Sequence, residues 1–418
     1  MSIGHCVHGC SLLAGVSSDD IASSRQECCD PSVTRGPSVL ETLGWVAKGL
    51  VGGLFGETRR GLAPDASACA GTCRYFFAMK SVDTKSRLAW YGMSVLAWFF
   101  GLAALMPLHG AETTKAATAI HTSPLETGKL RVVIADNEAY APAHLAGYNG
   151  VAELRSAGAN QPNLFVPLYA GLNLEHIFSG DAASYGWHIF EPRQAPMELR
   201  RISKRRVELN QQRTEHWPLR SRLTFEVKGD AMDLTYYGTP LEDVWRKHGY
   251  IGVFFASYIQ SPEDMAIQFI GRSRPGRGDA TPRWIKHLPP SHGVAASHRP
   301  AGSAWDPSFD DGFKLTLASS FSDFEYVYPF CFGRSGENVL VLMSETLRDG
   351  GEMRFAQSPS GGGTGNPAWD FVYFRRDYAV GREFSFRVRA VYRKFTNVED
   401  VVRLYERWSG EKVRRPSS

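Results

Sequence analysis

The sequence predicts a mainly β fold, a large antiparallel β-sandwich with few short helices. Apolar and polar residues alternate over many short segments, which is the period of a half-buried strand. Turn residues separate these segments at short intervals, as they do in all-β sandwiches. No regular succession of strand and helix appears, and this argues against a parallel α/β fold.

The clearest strand pair lies at residues 222–238, RLTFEVKGDAMDLTYYG, and predicts a β-hairpin with its turn at Gly229-Asp230. The apolar residues that share one predicted face of this hairpin are Leu223, Phe225, Val227, Met232, Leu234 and Tyr236. A long strand is predicted in EFSFRVRAVYRKF. Buried strands are predicted in GVFFASYI, ENVLVLM and AWDFVYF.

Two segments predict helices. TPLEDVWRKHG, residues 239–249, offers Thr239 as a cap, Pro240 in the first turn and Gly249 at the end. NVEDVVRLYERW, residues 397–408, places its valine, tyrosine and tryptophan side chains on one helical face.

The chain divides into four predicted parts. Residues 1–78 form a poorly ordered extension, 79–111 a signal peptide or membrane anchor, 112–128 a polar linker and 129–418 the β-sandwich domain. Six of the seven cysteines lie in the extension. The sandwich domain therefore keeps one thiol, Cys331, and no internal disulfide is predicted for it.

Residues 79–111 have the layout of a secretory signal peptide, with a positive start, an uncharged stretch at 88–108 and a small residue, Ala111, at the end. Two outcomes remain open. Cleavage after Ala111 exports the protein to the periplasm or the extracellular space, and this outcome is favoured. Retention anchors it, because the uncharged stretch is long enough to cross a bilayer. A signal peptide belongs at an N-terminus, so a start at Met79 is favoured over a cytoplasmic extension beginning at Met1.

Charge and motifs narrow the possible functions. The formal net charge of +4 is small for 418 residues, so no nucleic-acid partner is predicted. The glycine-rich segment SPSGGGTGNP lacks the lysine of a phosphate-binding P-loop and is interpreted as a flexible binding loop. Neither a GxSxG nor an HExxH motif occurs. No metal and no cofactor are predicted.

Three segments resemble one known family. They are AGYNGVAELRSAGANQPNLFVPLYAGLNLEH, FEPRQAPMEL and TEHWPLRSRLTFEVKGDAMDLTYYGTP. Their succession resembles the opening strands of galactose-mutarotase-like supersandwich domains, over about residues 130–395. The body is also similar to uncharacterised secreted bacterial proteins grouped near carbohydrate-active sandwiches. The resemblance implies a supersandwich with a polar edge that faces a sugar. The Asn-rich His motif of the sugar epimerases of this fold is absent here.

The candidate catalytic residues are His292, His176 and Tyr258. WIKHLPPSHGVAASHRP places His292 in one Pro/Gly loop with two other histidines, and a histidine exchanges protons near neutral pH, so it is the preferred general acid or base. His176 follows an apolar strand, and two interpretations are open: it points into a cleft, or it is a core histidine bonded to the backbone. Tyr258 is the candidate phenolic base of a lyase.

Sugar binding needs aromatic faces and planar hydrogen-bond donors. The candidate binding residues are Trp217, Trp305 and Trp369 for stacking and Arg193, His216, Arg334 and Arg354 as donors. The arginines matter most if the glycan is acidic, because arginine pairs bidentately with carboxylates.

These patterns predict an exported protein that binds, and in one interpretation processes, a carbohydrate. Its membrane contact is limited to residues 88–108 when these stay uncleaved. One alternative is an enzyme of the polysaccharide lyase or epimerase type with a histidine base. The other is a membrane-tethered surface domain with a structural or partner-binding role.

Overall fold

The computed structural model describes residues 120–139, 149–157, 162–184, 187–347, 350–359 and 365–416. The predicted extension and the signal or anchor segment lie outside these residues. Within them, no helix is both long and apolar enough to cross a membrane. The described part of the chain is mainly β, as the sequence predicts.

In chain order the strands are β1 (Thr122–Glu126), β2 (Leu130–Ala135), β3 (Gly150–Ser156), β4 (Asn173–Phe178), β5 (Glu198–Ser203), β6 (Arg206–Gln211), β7 (Leu219–Lys228), β8 (Ala231–Pro240), β9 (Ile251–Ala256), β10 (Ile267–Ser273), β11 (Arg283–His287), β12 (Ser297–His298), β13 (Phe324–Tyr326), β14 (Phe330–Ser335), β15 (Asn338–Ser344), β16 (Gly351–Ser358), β17 (Ala368–Arg375) and β18 (Phe384–Lys394). The α-helices are α1 (Glu191–Gln194), α2 (Thr316–Ser319) and α3 (Val398–Ser409). Two short 3₁₀ helices span Ala182–Ser184 and Trp187–Phe190.

The described strands form three sheets. A ten-stranded sheet runs β11-β10-β14-β15-β18-β8-β7-β6-β5, and β13 pairs with β10 beside this path. A five-stranded sheet runs β12-β16-β17-β9-β4, and a small sheet joins β1, β2 and β3. The strand pairs are antiparallel, as the sequence pattern predicts. Strand β1 lies within the segment predicted to be a linker, so the ordered domain begins earlier than expected.

The main core lies between the ten-stranded and five-stranded sheets. Phe386 of β18 packs edge-to-face on Phe255 and Phe371 of the facing sheet, with ring centroids 5.9 and 6.2 Å away. Its ring centroid is 4.4 Å from that of Tyr373 and 5.2 Å from that of Tyr236 on β8. Alternating apolar side chains of both sheets thus meet face to face, which is the arrangement of a β-sandwich.

The opposite face of the ten-stranded sheet is covered by α3, the helix predicted from NVEDVVRLYERW. Asn397 caps it by accepting a hydrogen bond from the Asp400 N–H, and Gly410 ends it in the left-handed conformation. Val401 and Tyr405 are buried against a second apolar cluster that includes Phe330. This sheet is therefore covered on both faces around α3.

The predicted hairpin is confirmed, and the helix predicted next to it is wrong. Strands β7 and β8 pair Leu223 with Tyr236, and Gly229 takes a φ of 64° in the turn. The segment at 239–249 does not form a helix, because Thr239 and Pro240 complete β8 against β7. Cross-strand pairing overrides the local helix signal there.

Candidate functional site

The outer face of the five-stranded sheet, the face turned away from the ten-stranded sheet, carries a bulge in β4. The register pairs Leu174 with Phe255 and His176 with Phe254, so Glu175 is an extra residue in the ladder. A bulge re-aims the side chains beside it. Glu175 and His176, neighbours in the strand, consequently bring Oε2 and Nε2 within 3.3 Å of each other.

The Glu175 carboxylate is buried and holds three partners. Arg193 Nη1 and the Tyr258 hydroxyl donate to Oε1, the latter at 2.7 Å, while His176 Nε2 faces Oε2. Burial would raise the pKa of Glu175, but His176 and Arg193 together lower it to about 2. Glu175 is therefore ionised throughout the ordinary pH range.

One short segment, the 3₁₀ helix Trp187–Phe190 followed by α1, contacts both Glu175 and His176. Its helix α1 carries Arg193, and its 3₁₀ helix packs on His176. The Ile189 carbonyl oxygen lies 3.2 Å from His176 Nδ1, and the Phe190 ring lies edge-on at 4.5 Å from the His176 ring. Pro192 suits the first turn of a helix, and its neighbour Arg193 turns inward and is buried. Both ring nitrogens of His176 therefore face acceptors.

Tyr258 marks the part of this cluster nearest the solvent, since it is only partly buried. Burial and the neighbouring charge of Glu175 raise the pKa of Tyr258 well above its ordinary value. The phenol is therefore neutral at pH 7 and donates to Glu175, which fits a hydrogen-bond donor better than the predicted phenolic base. The Tyr169 ring packs edge-to-face on it at 5.2 Å.

A second carboxyl group, Asp370 of β17, lies beside this cluster. Its Oδ1 accepts the Ser257 N–H at 2.8 Å, and no described residue hydrogen-bonds to Oδ2. Complete burial raises the pKa of Asp370 well above its ordinary value, and the charge of Glu175 adds to this effect. Asn173, the register partner of Ala256, likewise has no partner for its amide among the described residues. An ionised carboxyl group and a second one with a raised pKa thus stand close together, a division typical of acid–base pairs.

Replacing Asp370 with asparagine is expected to stabilise the protein increasingly as the pH rises above 3.8, because burial raises the pKa of this carboxyl and makes its ionised form unfavourable in the folded state. Below pH 3.8 the Asp370 carboxyl is protonated in both the folded and the unfolded state and does not affect stability. As the pH rises above 3.8, it ionises more readily in the unfolded state and therefore destabilises the fold. The gain should therefore vanish near pH 3. Urea unfolding of both proteins from pH 3 to 8 measures it, and a gain that does not vary with pH would contradict a neutral Asp370.

The remaining predicted residues fall in several places. His292 is exposed, and its Nδ1 lies 2.9 Å from the Ser358 hydroxyl. Ser358 pairs with Ala368, which bridges to Tyr258, so His292 lies at the same end of the sheet as Tyr258. The structure thus brings His176, Arg193 and Tyr258 together around Glu175 and places His292 on the same side.

His216 and Trp217 lie next to α1 rather than on Glu175. His216 Nδ1 hydrogen-bonds to Glu191 Oε1. The Trp217 indole stacks on Trp245, and its N–H donates to the His188 carbonyl at 2.7 Å. Trp217 therefore supports the segment that carries Arg193.

Trp305 and Arg354 meet at the other end of the five-stranded sheet. Arg354 is fully buried, pairs with Glu352 and lies 5.5 Å from the centre of the Trp305 ring. Trp305, Glu352 and Arg376 line part of a cavity of about 490 Å³. This volume lies within the range of small-molecule sites.

Arg334 and Trp369 do not join either group. Arg334 belongs to β14 of the ten-stranded sheet and lies 4.7 Å over the Phe395 ring. Trp369 points into the core, where its indole N–H donates to the Met265 carbonyl at 3.0 Å. Their sugar-binding roles stay predictions.

Sequence reasoning missed the two carboxyl groups. Glu175 stands in the segment NLEHIF and Asp370 in AWDFVYF, and both segments are buried along their whole length. An ionisable residue within an otherwise apolar strand was the available signal, because an unpaired charge is costly to bury.

No family model matches the chain, and no curated protein matches it. Among solved structures it is similar to a proposed aldose 1-epimerase from Escherichia coli K12, with a TM-score of 0.39 and 9% identity over 66% of this chain and 99% of that chain. It is also similar to a galactose mutarotase-like protein from Lactobacillus casei, with a TM-score of 0.36 and 11% identity over 65% of this chain and 100% of that chain. Galactose mutarotase-like proteins are thus among the structures it resembles, as the sequence pattern predicts. Because this similarity is low, a function for the chain must rest on its own residues.

Proposed function

We propose that this protein is an exported carbohydrate-binding β-sandwich whose sugar site is the cluster around Glu175. The observation that carries the proposal is the ionised, buried Glu175 carboxylate held by Arg193, Tyr258 and His176. Burying charges is costly even when they are paired, so the fold alone does not require such a cluster. Strongly perturbed ionisable groups of this kind concentrate at functional sites.

The arrangement suits a sugar. Glu175 accepts the Tyr258 O–H and is itself held by Arg193 from the buried side, so the Tyr258 oxygen is left as an acceptor for a sugar hydroxyl. The rings of Tyr169 and Tyr258 offer aromatic surface at the partly exposed end. A pyranose has hydroxyl groups around its rim and an apolar C–H face, which matches this combination.

An enzyme of the lyase or epimerase type is the second candidate. It is favoured by the pairing of an ionised and a neutral carboxyl group, together with His292 at the same end of the sheet. In that case Asp370 would donate a proton and the exposed His292 would accept one.

The proposal is tested by screening the full-length protein on an array of neutral and acidic oligosaccharides. Affinities of the best ligands are then measured for two variants. Glu175→Gln and Tyr258→Phe are expected to weaken binding at least about tenfold, because each removes a hydrogen bond to a charged group. Assays for unsaturated or epimerised products on the same ligands test the second candidate.

Glu352→Gln is the matched control. Glu352 is also a buried carboxylate paired with an arginine on the outer face of this sheet, so its replacement disturbs stability in a similar way. Sugar binding that survives Glu352→Gln and fails in Glu175→Gln supports the proposal. The reverse pattern would place the site in the cavity beside Trp305, and no binding to any glycan would refute a carbohydrate function. Export is checked by N-terminal sequencing of the secreted product, which should begin near Glu112.

A further inference from the structure

Three side chains converge beside α1, on the side of this segment that faces away from Glu175. They are His188, Glu191 and His216, and one ligand atom from each lies within 4.8 Å of the other two. Glu191 Oε1 is 3.5 Å from His188 Nδ1 and also accepts from His216 Nδ1. The two imidazole rings lie with their centroids 3.6 Å apart. Two ring nitrogens thus lie close to one carboxylate oxygen, near enough for all three atoms to share one ion.

The surrounding residues hold this group in place. The other carboxylate oxygen, Glu191 Oε2, accepts the Thr214 hydroxyl and the His216 N–H. The Trp217 indole fixes the His188 carbonyl from behind. Hydrogen bonds that orient a ligand carboxylate are the usual surroundings of metal sites. Thr214 is buried, whereas the His216 side chain is 44% exposed, so the centre is supported from inside and open to solvent outside.

We propose that His188, Glu191 and His216 bind a divalent transition metal ion, with Zn²⁺ as the best match. Two imidazole nitrogens and one carboxylate oxygen are a ligand set that zinc and related ions accept, and the remaining positions would be filled by water from the open side. The sequence predicts no such site, because His216 stands far along the chain from His188 and Glu191.

Such an ion would also fix the segment that serves the Glu175 cluster. Glu191 and Arg193 belong to the same four-residue helix, and they point to opposite sides of it. A metal on the Glu191 side would hold α1 against the turn before β7. Arg193 would thereby be held on Glu175, without the ion touching that cluster.

Metal content of the full-length protein tests the proposal. The protein is saturated with Zn²⁺, freed of unbound metal by gel filtration and analysed by mass spectrometry for zinc per chain. His216→Ala and Glu191→Gln are each expected to carry one ion fewer than the parent chain. Thr214→Val should keep the ion with an affinity roughly 10- to 100-fold lower, because it loses the hydrogen bond that orients Glu191, together with the bond that the Thr214 hydroxyl accepts from the Trp217 backbone N–H.

His121→Ala is the matched control, since His121 faces Asp136 and Glu138 but belongs to no such ligand group among the described residues. The difference between variants is decisive, because the cysteines of residues 1–78 can also take up zinc. Substituting Co²⁺ gives a second readout, in which the site should contribute visible bands that lack thiolate charge transfer and disappear in His216→Ala. Equal metal content in the parent, His216→Ala and Glu191→Gln proteins would overturn the proposal. Circular dichroism confirms that the variants are folded.

Discussion

Replacing Arg193 with methionine is expected to destabilise the protein by about 3–5 kcal/mol, which is the usual cost of leaving one member of a buried ion pair without its partner. Arg193 is 3% exposed and its guanidinium is a direct partner of Glu175, which is also buried. Methionine keeps most of the side-chain volume, so the loss reports the missing charge. The free energy of unfolding in urea at pH 7 measures it.

The double variant Arg193→Met/Glu175→Gln should recover part of this loss, because it removes both charges. Arg200→Met serves as the control, since Arg200 forms an exposed pair with Glu198 and its loss should change stability little. If Arg193→Met and Arg200→Met lost similar amounts of stability, burial of the Arg193–Glu175 ion pair would not explain the loss. A double variant no more stable than Arg193→Met alone would show that the charge of Glu175 is not the cause.

Replacing Phe386 with alanine is expected to cost about 3–5 kcal/mol, the range for truncating a buried aromatic residue. Its ring contacts Tyr236, Phe255, Phe371 and Tyr373, so the cavity would open between the two large sheets. The midpoint of unfolding in guanidinium chloride should fall with little change in slope.

Ser385→Ala provides the comparison for Phe386→Ala. Ser385 is the adjacent residue of β18 and is exposed on the other face of the sheet. Its replacement should leave the unfolding midpoint almost unchanged. If the two variants lost equal stability, the contacts across the sandwich would not be the main source of the effect.

Much of the fold can be predicted from local sequence patterns. Alternation identifies β7, β8 and β18, and the spacing of Val401, Val402 and Tyr405 identifies α3. Local patterns give the wrong prediction at Thr239 and Pro240. These residues are typical of a helix start, but in the structure they form the end of β8. The number of sheets and the order of strands in them depend on pairings between distant segments, which one sequence does not display.

The cluster around Glu175 is likewise only partly predictable, because residue types can be read from the sequence but contacts between distant segments cannot. The sequence indicates His176, Tyr258 and Arg193 as candidates because of their side-chain chemistry. In the structure all three contact Glu175. Their common partner, Glu175, depends on a bulge, which is a property of the register between β4 and β9 and not of β4 alone. The His188, Glu191 and His216 group likewise depends on a turn that brings residues from two segments together.

The strand order has a consequence for how the protein folds. β17 joins β12 and β16 to β9 and β4, and β18 joins the β11-to-β15 half of the larger sheet to the β8-to-β5 half. The two halves of each sheet are therefore joined by the two described strands that come latest in the sequence. Until β17 and β18 are in place, the strands that they pair with have open edges, which exposes these edges to wrong pairing. Because Asp370 lies on β17, Glu175 can gain this neighbour only after β17 has been synthesised.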